Sequence, residues 1–226
     1  MSADLRLVIF DVDGTLVDSQ NHIVAGMRRA FGSMGMDAPS HSDILATVGL
    51  SLSRAIEELA PDVEPSHQAE MVDAYKMTYR DLRMDAGSKQ SSPLYDGIAD
   101  VLQNLHAVDP LLMGVATGKS RRGLDALLDA HQLRSYFVTR QCADDHSSKP
   151  HPSMVLSAMA DAGVSPEETV VVGDTRFDME MARAAGAGFV GVSWGYHDRS
   201  QLAGADAIVD RVSDLTEAVL RAGAMA

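Results

Sequence analysis

A single cysteine, Cys142, among 226 residues excludes an internal disulfide and fits a reducing compartment. Basic residues are scarce: 19 Lys and Arg face 32 Asp and Glu, for a formal charge of -13. That balance disfavours a basic face for nucleic acid or for an anionic membrane. It also means that an anionic substrate must find positive charge locally. No apolar run approaches the about 18 residues of a membrane span. The first residues lack the basic start, longer apolar core and small-residue cleavage site of a signal peptide. The expectation is a cytoplasmic protein that binds neither nucleic acid nor membrane. Repeats and low-complexity tracts are also missing. What remains is an ordinary globular composition, 46% apolar, at a length that suits one α/β domain and a smaller one.

The chain is organised around Leu7-Val8-Ile9-Phe10-Asp11-Val12-Asp13-Gly14-Thr15-Leu16. A short aliphatic run suits a strand buried on both faces of a parallel sheet. It ends in two aspartates two residues apart, which point the same way in extended chain. Gly14 then allows a sharp turn. Two unit charges about 4 Å apart repel by roughly 4 kcal/mol at an effective dielectric near 20. A proton, a cation or both can relieve this. An Asp-Gly turn at a strand end is also common without any chemistry.

From Asn21 to about Arg83 the pattern is helical, with Met71, Tyr75, Thr78 and Leu82 on one face of a helix over Ser66 to Arg83. No strand is evident there, so the region reads as a helical insert after the first strand. The polar stretch from Asp85 to Pro93 reads as a return linker, with the outgoing one near Leu16 to Asn21. Helices and strands then alternate, with strands over Leu111–Ala116, Tyr136–Thr139, Thr169–Val172, Gly188–Val192 and Ala207–Val209. Alternation of this kind predicts a doubly wound parallel sheet, Rossmann-like, with a small all-helical cap. The expected division is 1–18 with 90–226 as α/β core, and 19–89 as cap with linkers.

Three further places carry candidate chemistry. Thr117-Gly118-Lys119-Ser120 follows a strand, where a hydroxyl and free N–H groups at a helix start make an oxyanion cradle. Lys149-Pro150 precedes a helix expected to start at Pro152; a lysine there can neutralise the dyad or grip a phosphoryl oxygen. Gly173-Asp174-Thr175-Arg176-Phe177-Asp178 places two carboxylates at helical spacing if a helix starts near Asp174. Carboxylate oxygens suit Mg²⁺, although Asp174 alone can be read as a helix N-cap.

In this order the motifs resemble those of the haloacid dehalogenase-like hydrolase superfamily, in its phosphatase branch with a helical cap. The resemblance covers essentially the whole chain. Within the branch the chain looks most like phosphoglycolate phosphatases, on Val48-Gly49-Leu50-Ser51, Lys149-Pro150-His151-Pro152 and Gly191-Val192-Ser193-Trp194-Gly195-Tyr196. Arg176-Phe177 departs from the smaller or more polar pair common in relatives. The resemblance implies an aspartyl-phosphate on Asp11, acid/base work by Asp13, and Mg²⁺ on Asp11, the Asp13 carbonyl and Asp174, with Asp178 a ligand or one step removed. It implies that Thr117, Gly118, Lys149 and the Asp11-Val12-Asp13 segment hold the phosphoryl group. Gly49, in the loop Gly49-Leu50-Ser51, is the expected cap contact; Arg54 is a candidate for a substrate carboxylate, against its more ordinary reading as an exposed helix arginine. The implied substrate is a small phosphomonoester, 2-phosphoglycolate first, with another metabolite, pyrophosphate or a sugar-phosphate mutase reaction as alternatives. A phospho-accepting receiver domain is the alternative of another class; it is half this length and needs no acid/base at Asp13. The expected state is a monomer or homodimer.

Overall fold

The computed structural model describes residues 5–222. Six strands, β1 (Arg6–Phe10), β2 (Leu111–Thr117), β3 (Thr139–Cys142), β4 (Thr169–Gly173), β5 (Gly188–Val192) and β6 (Ala207–Val209), form one parallel sheet. Its order is β3-β2-β1-β4-β5-β6. After β1 the chain builds outward through β2 and β3, then returns to lay β4 on the other side of β1. Ligands bind such sheets at the carboxyl ends of the strands flanking this reversal. Asp11 and Asp174 are the first residues beyond β1 and β4.

The middle of the sheet is buried on both faces because the inner runs Leu7–Phe10, Met113–Ala116, Val170–Val172 and Phe189–Val192 are apolar. Val8, Phe10, Val115 and Val172 face one core with Leu102, Leu124 and Leu128. Their neighbours Leu7, Ile9 and Val171 face another with Met154, Val155 and Met181. The first core lies under α6 (Ile98–His106), α7 (Arg121–His131) and α10 (Leu215–Ala222); the second lies under α8 (Ser153–Ala162) and α9 (Arg176–Ala184).

Between β1 and β2 come α1 (Gln20–Ser33), α2 (His41–Ala46), α3 (Leu52–Leu59), α4 (Pro65–Ala86) and the single turn α5 (Ser88–Ser91). These helices have a core of their own, in which Ile23, Met27, Phe31, Ile44, Ile56 and Met71 are buried. The chain enters and leaves this cap as an antiparallel pair. The Asp18 N–H donates to Pro93 O at 2.9 Å, and the Tyr95 N–H to Leu16 O at 3.0 Å.

Four expectations need correction. The stretch from Asp85 to Pro93 is not an irregular linker, because α4 continues to Ala86 and α5 follows; the true crossing is at 93–95. The third strand is Thr139–Cys142 rather than Tyr136–Thr139. Arg134–Tyr136 form a 3-10 turn, and Phe137 packs edge-on against Phe10 at 6.4 Å, so the aromatic pair serves the core instead of the ladder. Pro152 is the N-cap of α8 rather than its first residue. Finally, α9 starts at Arg176, so Asp174 and Asp178 do not share a helix.

Candidate active site

Asp11 follows β1 directly, its N–H still paired with Val172 O at 2.9 Å, and its side chain is buried. The next residues fold tightly. The Val12 carbonyl accepts from the N–H groups of Leu16 and Val17, and the Gly14 N–H donates to Val17 O. Gly14 has φ +82°, and a Cβ there would overlap the Asp174 carboxylate. Glycine is thus demanded twice at this turn, by backbone and by close approach.

Asp174 leaves β4 and is fully buried. Its Oδ1 accepts from Thr15 Oγ1 at 2.9 Å and its Oδ2 from the Tyr196 N–H at 2.8 Å. Thr175, not Asp174, caps α9. Asp178 completes a capping box with it: the Thr175 side chain accepts from the Asp178 N–H, while Asp178 Oδ2 accepts from Thr175 N–H and Oγ1. The other Asp178 oxygen is 2.6 Å from Lys149 Nζ. The same ammonium is 2.7 Å from Asp11 Oδ1. Asp178 therefore fixes Lys149 between two carboxylates.

Asp11, Asp174 and Asp178 each offer a carboxylate oxygen, all within 4.8 Å of one another. Crowding and burial raise the first two. Burial pushes Asp11 up to about 7, with Asp178 and Asp13 adding to the shift and Lys149 opposing it. Burial and the charges of Asp11 and Asp178 hold Asp174 well above the usual carboxylate range. For Lys149, burial alone would lower the pKa, but Asp11 and Asp178 outweigh it and keep the ammonium charged. Three carboxylates against one ammonium leave two negative charges uncompensated if all ionise. Asp11 Oδ1 faces the Lys149 ammonium, and Oδ2 accepts no hydrogen bond among the described residues. A divalent oxygen-seeking cation fits both facts, the residual charge and the free Asp11 oxygen.

Asp13 points into a cleft of about 500 Å³ between core and cap. Its Oδ1 accepts from Ser19 Oγ and is 2.7 Å from Lys119 Nζ. Thr117 and Gly118 end β2 in the same cleft. The cap presses on them: a Cβ on Gly118 would lie 2.9 Å from Gly49 O and closer still to Leu50 O. The Ser51 N–H donates to Ser148 Oγ at 2.8 Å, and Leu50 and Ala55 pack on Phe177. Phe177 is thus a docking point for the cap, which gives the departure at Arg176-Phe177 a physical use.

The structure therefore brings Asp11, Asp13, Lys149, Asp174 and Asp178 to one place, with Thr117, Gly118 and Gly49 lining the same cleft. Arg54 does not join them. It is exposed, pairs with Glu57 at 2.8 Å and does not line the cleft. The cause is helical phase: Ala55 and Ile56 turn inward on α3, so Arg54 turns out. Two participants had no role in the sequence reading. Lys119 was visible as the residue after Thr-Gly, but its approach to Asp13 depends on the cap. Tyr196 was named only as the end of the Gly191–Tyr196 run, yet its N–H holds Asp174 and its hydroxyl accepts from the Ser19 N–H at 2.8 Å.

The haloacid dehalogenase-like hydrolase profile matches residues 8–192. Probable phosphatase IndB of Dickeya dadantii is 36% identical over 216 residues, 94% of this chain and 92% of that protein. A phosphoglycolate phosphatase of Salmonella typhimurium is 29% identical over 235 residues, covering 96% and 93%. Among solved structures, a β-phosphoglucomutase from Clostridium difficile superposes with TM-score 0.83 at 18% identity, covering 97% of each chain, which is a likeness of fold.

Proposed function

Because this chain belongs to the haloacid dehalogenase-like hydrolase family, we propose that it is a Mg²⁺-dependent phosphatase of small phosphomonoesters. Asp11 attacks phosphorus, giving an aspartyl-phosphate that water then hydrolyses. Asp13 gives a proton to the leaving oxygen and takes one from the attacking water. The Thr117 hydroxyl, the N–H groups of Gly118 and Val12, and the Lys149 ammonium hold the phosphoryl oxygens. Positioning and charge stabilisation carry most of such a reaction.

Asp11, the Asp13 carbonyl and Asp174 would hold the Mg²⁺. The ion supplies positive charge against the nucleophile and the phosphoryl oxygens. Asp178 has both oxygens engaged, by Lys149 and Thr175, so its part is to hold Lys149 in place. The cap excludes water and reads the leaving group. The observation that carries the reading is the buried meeting of Asp11, Lys149 and Asp174, with Asp11 Oδ1 on the Lys149 ammonium and a carboxylate oxygen of each aspartate close to the others.

2-Phosphoglycolate is the first ester to assay, since the sequence resembles phosphatases of that name. The test is phosphate release from a panel of phosphomonoesters, and from pyrophosphate, with Mg²⁺ and with EDTA. The expected result is turnover that EDTA and Asp11→Asn each abolish. Absence of turnover with every ester, or full activity in Asp11→Asn, rejects it.

A further inference from the structure

We infer that Tyr196 is a positioning residue for the acid/base Asp13, acting through Ser19. The inference rests on the phosphatase reading and deepens it, since it assigns what aims the proton donor. Ser19 is buried and directly precedes α1, where a serine ordinarily caps the helix with its hydroxyl. Ser40, Ser120 and Thr175 do so from extended backbone, at ψ 160°, 157° and 155°. Ser19 stands at φ -111° and ψ 6°, and its hydroxyl makes no cap. The hydroxyl donates instead to Asp13 Oδ1. The backbone that aims it is pinned on both sides. The Ser19 carbonyl accepts from the N–H groups of His22 and Ile23, each at 3.1 Å, and the Ser19 N–H donates to the Tyr196 hydroxyl at 2.8 Å.

The arrangement decides which Asp13 oxygen carries the proton. Oδ1 accepts from Ser19 Oγ and faces Lys119 Nζ at 2.7 Å. An oxygen that takes two donors is not the one that bears the hydrogen of a carboxylic acid. Asp13 therefore gives the proton from Oδ2 to the bridging oxygen as the P–O bond breaks, and that atom later takes one back from the attacking water. Its aim is set by what grips Oδ1. Lys119 grips from a flexible stem and is shared with the Tyr79 hydroxyl at 3.3 Å. Ser19, on pinned backbone, supplies the fixed direction. Tyr196 is itself anchored without its hydroxyl. Its N–H donates to Asp174 Oδ2 at 2.8 Å, its ring packs on the cap core, and a Cβ on Gly195 before it would overlap Asp174. Trp194 Nε1 ties the same loop to Thr15 O at 3.1 Å. What the hydroxyl adds is its hold on the Ser19 N–H, with Asp18 Oδ1 at 3.3 Å to take its own proton.

The test is Tyr196→Phe, which keeps the ring and the N–H to Asp174 and removes only the hydroxyl. An alkyl phosphate needs a proton on its leaving oxygen, whereas p-nitrophenolate departs without one. kcat/KM runs only as far as transfer to Asp11, so it reads the step in which Asp13 is the acid. For the best alkyl phosphate of the panel it should fall roughly tenfold, the worth of one hydrogen bond. For p-nitrophenyl phosphate the loss should stay below about threefold. Ser19→Ala should show the same selectivity between esters. The double variant should fall no further than Ser19→Ala alone, because the tyrosine acts through that serine. Should Tyr196→Phe fail to fold, Ser19→Ala carries the same comparison. No loss, equal losses with both esters, or losses that multiply in the double variant overturn the inference and leave Tyr196 a packing residue. Those results leave the phosphatase reading standing. A wild type inert to every ester rejects that reading, and the inference with it.

Discussion

Lys149 Nζ lies 2.6 Å from Asp178 Oδ1, and both side chains are fully buried. The other Asp178 oxygen accepts from the Thr175 N–H and Oγ1, so both oxygens of this carboxylate already have partners, one of them a cation. Asp174 differs, since its partners are neutral donors, Thr15 and the Tyr196 N–H. The two aspartates should respond differently to loss of charge. Asp178→Asn leaves Lys149 with one carboxylate instead of two, and kcat should fall on the order of a hundredfold while the Mg²⁺ concentration for half-activity moves less than about threefold. Asp174→Asn should raise that concentration at least about tenfold, as loss of a metal-binding charge does. Mg²⁺ titrations of phosphate release by the two variants check this; equal shifts would place Asp178 on the ion after all.

Gly118 offers a test of cap closure. Added at this position, a methyl group would meet the backbone oxygens of Gly49 and Leu50, which cannot swing aside as a side chain can. The three atoms nearest to it all belong to the cap loop, so Gly118→Ala should fold and should hold the cap off the site. kcat/KM should fall at least about tenfold through loss of water exclusion and of cap contacts. Gly32, on α1, is the counterpart, with nothing within 4 Å of an added Cβ. Gly32→Ala should stabilise the protein by about 0.5–1 kcal/mol, because alanine loses less backbone freedom in a helix. Thermal melts and steady-state kinetics of both variants decide.

The parts of the site that the sequence made legible are those written in adjacent residues. Aliphatic runs ending in Asp11, Thr117 and Asp174 mark strand ends, since a buried parallel strand has few other compositions. The third strand was displaced because Phe137 is apolar for the sake of Phe10, not of a ladder. Asp178 looked like the lower half of a helical carboxylate pair until the Thr175 capping box moved the helix start by two residues. Contacts over long separations left no trace. Tyr196 reaches back to Ser19, and Lys119 takes its place from Tyr79 on α4. Arg54 could be read as a substrate cation or as an exposed helix arginine, and the inward turn of Ala55 and Ile56 shows that it faces solvent.

The crowded carboxylates also make a prediction about stability in the absence of metal. The folded Asp11 carboxyl is raised to about 7, from 3.8 for the free side chain. A raised carboxyl binds its proton more tightly folded than unfolded, so the fold gains from it at low pH and loses that gain as pH rises from about 4 through 7. Above pH 7 the ionised group, beside Asp178 and Asp174, opposes folding, with Lys149 offsetting part of this. Asp11→Asn removes the charge and leaves Lys149 its contact with Asp178. In EDTA at pH 8 the variant should therefore melt several degrees above the wild type, given about 2–4 °C per kcal/mol for a chain of this size. The gap should close as the pH is lowered below 7. Added Mg²⁺ should reverse the order at pH 8, because it binds the folded wild type and gains less from the amide. Melting curves at pH 5, 6.5 and 8, with EDTA and with Mg²⁺, measure all three; a wild type more stable than Asp11→Asn in EDTA at pH 8 would mean that Lys149 fully compensates Asp11 and that the site has no unmet charge to offer a cation.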